Sequence, residues 1–126
     1  NLTDLTPVLV KNVYQTPVIF ASFGNPVELF CNHSYSNFDQ IYWYQQTRGN
    51  TELKLIGYAN YDQMYPEDSF KARFKLNGHG SKELTVRIDS ITFEDSAVYF
   101  CAASEHSSAE RVLISQKPAH HSILNI

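Results

Sequence analysis

Two cysteines and one tryptophan set the strongest limit on how this chain can fold. Cys31 and Cys101 are the only cysteines in 126 residues, and they stand 70 positions apart. Trp43, the only tryptophan, follows the first cysteine by twelve positions, and Tyr99 precedes the second by two. This spacing does not suit a short metal-binding knuckle, and two thiolates do not complete a zinc site. The simpler prediction is one disulfide, worth about 4 kcal/mol and requiring an oxidising compartment. The alternative is two buried free thiols.

Length and composition predict one globular domain. Hydrophobic residues make up 43% of the chain, which is enough to build a core. The formal net charge is −3 and no basic run exceeds two residues, so nucleic acid is not an expected partner. The longest apolar stretch, residues 17–21, is far shorter than the ~20 residues that cross a bilayer. We expect any signal peptide to have been removed and any membrane anchor to lie outside this sequence.

Short alternating segments rich in β-branched and aromatic residues predict an all-β domain. The predicted strands cover residues 27–31, 41–46, 53–58, 73–76, 84–88 and 97–101. Asn77-Gly78-His79-Gly80 predicts a hairpin turn between two of them, and residues 93–96 a tight turn. Because side chains alternate between the faces of a strand, one inward-facing set can be identified as the core. It comprises Leu29, Trp43, Leu84, Val86, Ile88 and Tyr99.

Seven or more short strands with this order of Cys, Trp, Tyr and Cys are typical of immunoglobulin sandwiches. Trp43-Tyr44-Gln45-Gln46 and Asp95-Ser96-Ala97-Val98-Tyr99-Phe100-Cys101, together with Tyr14-Gln15-Thr16-Pro17 and Arg73-Phe74, resemble a T-cell receptor variable domain, most like the β chain. The resemblance implies a V-type two-sheet Greek-key sandwich with one inter-sheet disulfide beneath Trp43. It covers about residues 12–104, leaving an N-terminal extension at 1–11 and an atypical C-terminal segment at 105–126.

The resemblance also implies roles for particular side chains. Arg73 and Asp95 correspond to a structural ion pair near one end of the sandwich. Four residues correspond to the face through which such domains pair, with Gln46 bonding its counterpart across the dimer axis. We call this set the pairing face: Tyr44, Gln46, Leu55 and Phe100. Strand alternation supports the assignment: if Trp43 and Tyr99 point inward, these four side chains point outward. The alternative is that a loop or the C-terminal segment covers these aromatic rings.

Three loops at one end of the sandwich are predicted to bind a protein or peptide–protein ligand. Residues 32–40, 58–65 and 103–110 combine Tyr, Ser and Asn, which suit a recognition surface. The candidate contact residues are Tyr35, Asn37, Phe38, Asn60, Tyr61, Glu105 and His106.

The C-terminal segment departs from the family pattern. A joined receptor should carry Phe-Gly-x-Gly after the second cysteine, but no glycine follows Cys101. Residues 111–115 and 122–126 predict two strands instead, with Pro118 marking the bend between them. Because the first is apolar on both faces, we expect intermolecular strand pairing, a swapped strand or a homodimer interface to order this segment.

No catalytic centre, cofactor or metal site is predicted. Neighbouring acidic residues at 67–68 and 94–95 fit solvated turns, and the histidines at 106, 120 and 121 match no known metal-ligand spacing. The sequons at Asn1 and Asn32 are glycosylation candidates, although composition alone predicts about one by chance. They agree with an extracellular, cell-surface location.

The predicted function is therefore that of a noncatalytic antigen-receptor variable domain that pairs with a second immunoglobulin-type chain or a second copy. Two rivals share the fold. The missing joining motif favours a nonrearranging innate receptor, which a germline exon encoding the C-terminal segment in frame would support. A homophilic adhesion domain would form concentration-dependent dimers without a second chain.

Overall fold

A computed structural model describes residues 21–105 in full and, outside them, the backbone of residues 14–15, 19–20, 108–114 and 122–125. Within these residues the chain forms eleven strands, with a short 3-10 helix at Phe93–Asp95 between the eighth and ninth. The strands are β1 Tyr14–Gln15, β2 Ile19–Phe20, β3 Val27–Asn32, β4 Gln40–Thr47, β5 Lys54–Asn60, β6 Gln63–Pro66, β7 Phe74–His79, β8 Glu83–Ile88, β9 Ala97–Glu105, β10 Ser108–Ile114 and β11 Ser122–Asn125.

The strands form two sheets. One has four strands in the order β1-β3-β8-β7, all antiparallel. The other has seven, in the order β2-β11-β9-β4-β5-β6 with β10 also paired to β9. Its only parallel pair among the described residues joins β11 to β2. The all-β two-sheet prediction is confirmed.

The core lies where the two sheets face each other. Buried and exposed side chains alternate along β3 and β8, as expected when one face of a strand meets the core and the other meets water. All six predicted core residues are fully buried. The Trp43 indole nitrogen donates a hydrogen bond to the carbonyl of Leu84 at 2.9 Å, which links β4 in one sheet to β8 in the other.

The disulfide also joins the two sheets. Cys31 on β3 and Cys101 on β9 are bonded with their Cα atoms 6.4 Å apart, within the range that a disulfide spans. Tyr99, two residues earlier on β9, donates its hydroxyl proton to the Asp95 carbonyl at 2.7 Å and accepts a hydrogen bond from the Gln45 amide at 3.0 Å. The Cys, Trp and Tyr pattern therefore corresponds to one packed centre between the sheets.

Two local predictions were wrong. The hairpin turn lies at residues 80–82, because β7 continues through Asn77 and Gly78 to His79. Gly78 adopts a φ of +149° against the backbone of Glu83, so a glycine is required inside the strand rather than in the turn. The predicted second loop is also much shorter, since β5 and β6 occupy all of residues 58–65 except 61 and 62.

The C-terminal segment pairs within its own chain, which contradicts the predicted intermolecular pairing. Ile114 on β10 lies opposite Ala102, and Ser122 on β11 lies opposite Tyr99, both on β9. If the register of β10 continued along β9, residue 117 would lie opposite Tyr99. Ser122 lies there instead, so the register of β11 is shifted by five residues relative to that of β10. The two predicted strands thus pair with the same strand of their own chain, β9. The predicted bend at Pro118 lies outside the described residues.

Candidate functional site

The pairing face forms one continuous surface at the centre of the larger sheet. Tyr44 on β4 lies directly between Leu55 on β5 and Phe100 on β9. Gln46 lies two residues farther along β4, opposite Val98. Each of the four predicted side chains is half-buried, and burial raises the pKa of the Tyr44 phenol, which therefore stays neutral at physiological pH. The structure thus brings together residues that span 57 positions of sequence.

The orientation of this face follows from strand alternation. Trp43 and Gln45, which flank Tyr44 on β4, are both buried in the core. Tyr99 is likewise buried beside Phe100 on β9. Because neighbouring side chains of a strand point to opposite faces, Tyr44 and Phe100 must point away from the core. Their rings lie on the outer surface of the larger sheet.

A row of stacked tyrosines, which was not predicted from the sequence, extends the pairing face toward the loop end. The rings of Tyr42 and Tyr58 are 4.7 Å apart between centroids, and those of Tyr58 and Tyr65 are 4.9 Å apart. Tyr42 also stacks toward Tyr44 at 6.4 Å. We call Tyr42, Tyr58 and Tyr65 the tyrosine row. Alternation along β4 and β5 could have identified its first two members, but Tyr65 depends on β6, a strand that the sequence analysis assigned to a loop.

Hydrogen bonds fix the loop end of this surface. The Tyr42 hydroxyl and the Ser104 hydroxyl both donate to the Gln40 side-chain oxygen, at 3.0 and 2.9 Å. The amide nitrogen of Gln40 in turn lies 3.5 Å from the Asn60 side-chain oxygen. Burial, with smaller contributions from Tyr58 and Tyr44, raises the pKa of Tyr42, so its hydroxyl remains a donor at physiological pH. The network joins β4, β5 and β9 at the base of the predicted loops.

The first predicted loop is anchored by side chains that point inward. Phe38 is only 3% exposed and belongs to the hydrophobic core, so its prediction as a ligand contact was wrong. Tyr35 packs partly against the same core, with its ring 5.7 Å from that of Phe38. Asn37, between them, is exposed. Sequence polarity identified the loop, but it could not tell the residue that anchors the loop from those available to a ligand.

His33 fastens this loop to the neighbouring hairpin. Its Nε2 bonds the Gly80 carbonyl at 3.0 Å, and its Nδ1 accepts a hydrogen bond from the Tyr35 backbone nitrogen at 3.1 Å. Burial lowers the pKa of His33 below its usual value. The hydrogen bond to Gly80 and the charge of Asp39 raise the pKa, but by less than burial lowers it. The neutral ring is the form that donates from one nitrogen and accepts at the other. This structural role of His33 was not predicted from the sequence.

Backbone hydrogen bonds hold the first two loops and the hairpin together. The Tyr61 nitrogen donates to the Asp39 carbonyl at 3.0 Å, and the Gly80 nitrogen donates to the Tyr61 carbonyl at 2.7 Å. Asp39 in turn donates from its nitrogen to the Ser104 carbonyl on β9 at 3.2 Å. Tyr61 has a φ of +54°, unusual for a residue with a side chain, and its ring is 48% exposed. The second loop therefore presents one prominent aromatic side chain.

The remaining predicted ligand contacts are distributed unevenly. Asn60 is half-buried at the end of β5, where it belongs to the Gln40 network. Glu105 is half-buried at the end of β9. His106 lies outside the described residues. Within residues 21–105, Asn37 and Tyr61 are the predicted contacts that the structure leaves exposed.

The predicted ion pair includes Asp95, the last residue of the 3-10 helix that leads into β9. Arg73 Nη1 donates to Asp95 Oδ1 at 2.9 Å, and its Nη2 donates to Oδ2 and to the Ser90 carbonyl. Burial raises the pKa of Asp95, but hydrogen bonds from Arg73 and Thr92 outweigh it, so the net pKa is lowered. The Arg73 pKa is raised by the same bond. The Asp95 side chain is 3% exposed and the Arg73 side chain 43%, so the pair is shielded from water on the Asp95 side only.

Neither a metal-ligating cluster nor a membrane-spanning helix is found in the part of the chain that the structure describes. No three His, Cys, Asp or Glu side chains converge there on a point that could hold a metal ion. The histidines at 106, 120 and 121 fall outside that part. None of the helical structure in the same part is long and apolar enough to cross a membrane.

Comparison with known proteins gives a consistent result. The immunoglobulin V-set domain family matches residues 14–117. The chain is 34% identical to human T cell receptor beta variable 2 over 98 residues, covering 74% of this chain and 81% of that protein. It is 33% identical to the mouse T-cell receptor alpha chain V region PHDS58 over 92 residues, covering 72% and 68%. The mouse immunoglobulin iota chain is 30% identical over 107 residues, covering 79% and 72%.

Proposed function

Because the chain belongs to the immunoglobulin V-set family, we propose that it is an antigen-receptor variable domain that pairs through its larger sheet and binds a protein ligand through its loops. V-set domains related to T-cell receptors are noncatalytic, extracellular receptor domains, and the chain shares that character. We further propose that the domain is displayed at the cell surface, that it associates through the pairing face, and that its ligand is a protein.

One observation carries the pairing proposal: Leu55, Tyr44 and Phe100 form a half-buried row across three adjacent strands. Large apolar side chains at the centre of a sheet face lose more water-exposed area on association than residues at its edge. Gln46 beside them supplies an amide that both donates and accepts, so a symmetric copy of itself could satisfy it. An apolar centre with a self-complementary polar group is typical of a pairing surface.

The loop surface supports a protein ligand rather than a small molecule. Asn37 and Tyr61 are exposed, and the backbone that carries Tyr61 is fixed by hydrogen bonds to Asp39 and Gly80. Tyrosine on a rigid backbone provides a large contact area at low entropic cost, while asparagine adapts its hydrogen bonds. The tyrosine row lies below these loops and extends the same outer surface.

Charge placed on the pairing face tests the proposal. We expect Tyr44→Arg to abolish association with a second copy or with a co-expressed α-type variable domain, measured by sedimentation over a range of concentrations. Thr85→Arg is the matched control, because Thr85 is half-buried on the outer surface of the smaller sheet. Equal association of the two variants, or association lost only in Thr85→Arg, would contradict pairing through this face. Unchanged thermal unfolding of both variants excludes misfolding as the cause.

The absence of Phe-Gly-x-Gly after Cys101 favours a second candidate, a nonrearranging receptor of the same fold. Its C-terminal segment would then be the natural partner of β9, as β10 and β11 are in the structure. Sequencing transcripts against the genome distinguishes the two candidates. Diverse joins after residue 104 support the rearranging receptor, whereas one invariant transcript that retains residues 105–126 supports the nonrearranging one.

A further inference from the structure

The sequon at Asn32-His33-Ser34 lies where the fold exposes both residues that a glycosylation motif requires. Asn32 ends β3 and is exposed, and Ser34 is exposed in the segment that follows. His33 between them is 6% exposed and is held by hydrogen bonds to Gly80 and Tyr35. The middle residue of the motif is therefore buried, whereas its two neighbours are exposed. A sugar on Asn32 would displace none of these contacts.

We propose that Asn32 carries an N-linked glycan. In the secretory pathway, the Asn32 amide nitrogen would attack the anomeric carbon of a lipid-pyrophosphate-linked oligosaccharide. A nitrogen–carbon bond forms, the carbon–oxygen bond to the pyrophosphate breaks, and the amide loses one proton as the lipid pyrophosphate leaves. The inter-sheet disulfide indicates the same oxidising compartment, because such bonds persist there.

The position of Asn32 suggests what the glycan does. Phe30 lies two residues earlier on the same face of β3 and is 48% exposed. The surrounding surface of the smaller sheet is polar, with Arg87 bridging Glu28 and Asp89 at 3.3 and 2.7 Å. A glycan at Asn32 would cover Phe30 and keep this sheet from associating. The pairing face lies on the opposite sheet and would remain uncovered.

Expression behind a cleavable secretion leader in animal cells tests the modification. We expect part of the chain, in cells and in the medium, to migrate faster on a gel after treatment with peptide N-glycosidase. Mass spectrometry should then find Asn32 deamidated to aspartate. Ser34→Ala should abolish this signal, and Ser34→Thr should retain it because the sequon survives. Thr3→Ala removes the sequon at Asn1 and serves as the control. An unmodified Asn32 peptide in both lysate and medium would overturn the proposal, whatever the folding yield.

The covering role is tested by a double substitution. We expect Ser34→Ala to increase the binding of a hydrophobic fluorescent dye severalfold over the glycosylated protein. Adding Phe30→Ser should reverse that increase, because it removes the side chain that the glycan covers. Equal dye binding by the glycosylated chain and Ser34→Ala would refute the covering role, as would an increase that persists in the double variant.

Discussion

Replacement of Trp43 by alanine should remove most of the stability of the domain. The indole is fully buried between the sheets and donates the 2.9 Å hydrogen bond to the Leu84 carbonyl. Truncation of a buried aromatic side chain to alanine costs about 3–5 kcal/mol through lost burial and the cavity left behind. The carbonyl that loses its partner adds about 1–3 kcal/mol where water cannot replace the donor. Domains of this kind are stable by only about 5–15 kcal/mol, so the variant should be marginally folded at best.

Trp43→Phe separates the two contributions. It keeps an aromatic ring in the cavity but removes the donor, so we expect a loss of about 1–3 kcal/mol, clearly smaller than that for alanine. The measurement is denaturant unfolding followed by far-ultraviolet circular dichroism with the disulfide intact, since the variants lack the only tryptophan.

Phe93→Ala is the control for this pair of substitutions. Its side chain is 72% exposed, and its loss should change stability by no more than ~0.5 kcal/mol. If Trp43→Ala unfolds at the same denaturant concentration as the wild type, the packed centre between the sheets does not hold the domain together. If Phe and Ala at position 43 are equally damaging, the hydrogen bond to Leu84 rather than ring volume dominates.

Three further outcomes follow from the structure. The Asp95 pKa is lowered in the folded state, so the stabilising contribution of this carboxylate is present above its unfolded pKa of about 3.9 and is lost as the pH falls through the folded pKa. Asp95→Asn should therefore flatten the decline in the unfolding midpoint as the pH falls below about 4. An unchanged slope would contradict a stabilising role for the pair. Phe38→Ala should destabilise the domain by about 3–5 kcal/mol because the side chain is buried, whereas Asn37→Ala should cost less than ~0.5 kcal/mol because the side chain is exposed. Equal thermal unfolding midpoints for the two variants would show that Phe38 does not anchor the loop. Removal of residues 106–126 should lower the free energy of unfolding by more than ~1 kcal/mol, because β10 and β11 pair with β9 in the same chain. An unaltered denaturation curve would show that this pairing contributes nothing to stability.

The core of this fold could be predicted from the sequence because it depends on alternation. Cys31, Trp43 and Tyr99 are each buried between two strand neighbours that are exposed or half-buried. The same alternation turns Tyr44 and Phe100 outward, so their place on the pairing face could be predicted from the sequence. The Cys31–Cys101 bridge joins β3 to β9 and so connects the two sheets, as the resemblance implied.

Other features depend on tertiary contacts that local patterns do not encode. Asn77-Gly78 has the composition of a turn, yet β8 extends the ladder past it and places the turn at residues 80–82. Phe38 stands among polar loop residues, but the core accommodates it. The five-residue register shift between β10 and β11 is set by the pairing of both strands with β9. The sequence pattern of each strand by itself does not contain that information.

Hydroxyl-radical footprinting of the associated and dissociated chain tests the pairing face most directly. The reagent labels exposed aromatic rings, and Phe93, which is 72% exposed away from that face, serves as the internal reference. We predict that association protects Tyr44 and Phe100 while labelling of Phe93 stays constant. Protection of Phe93 with continued labelling of Tyr44 would contradict pairing through this face and place the interface elsewhere on the sandwich.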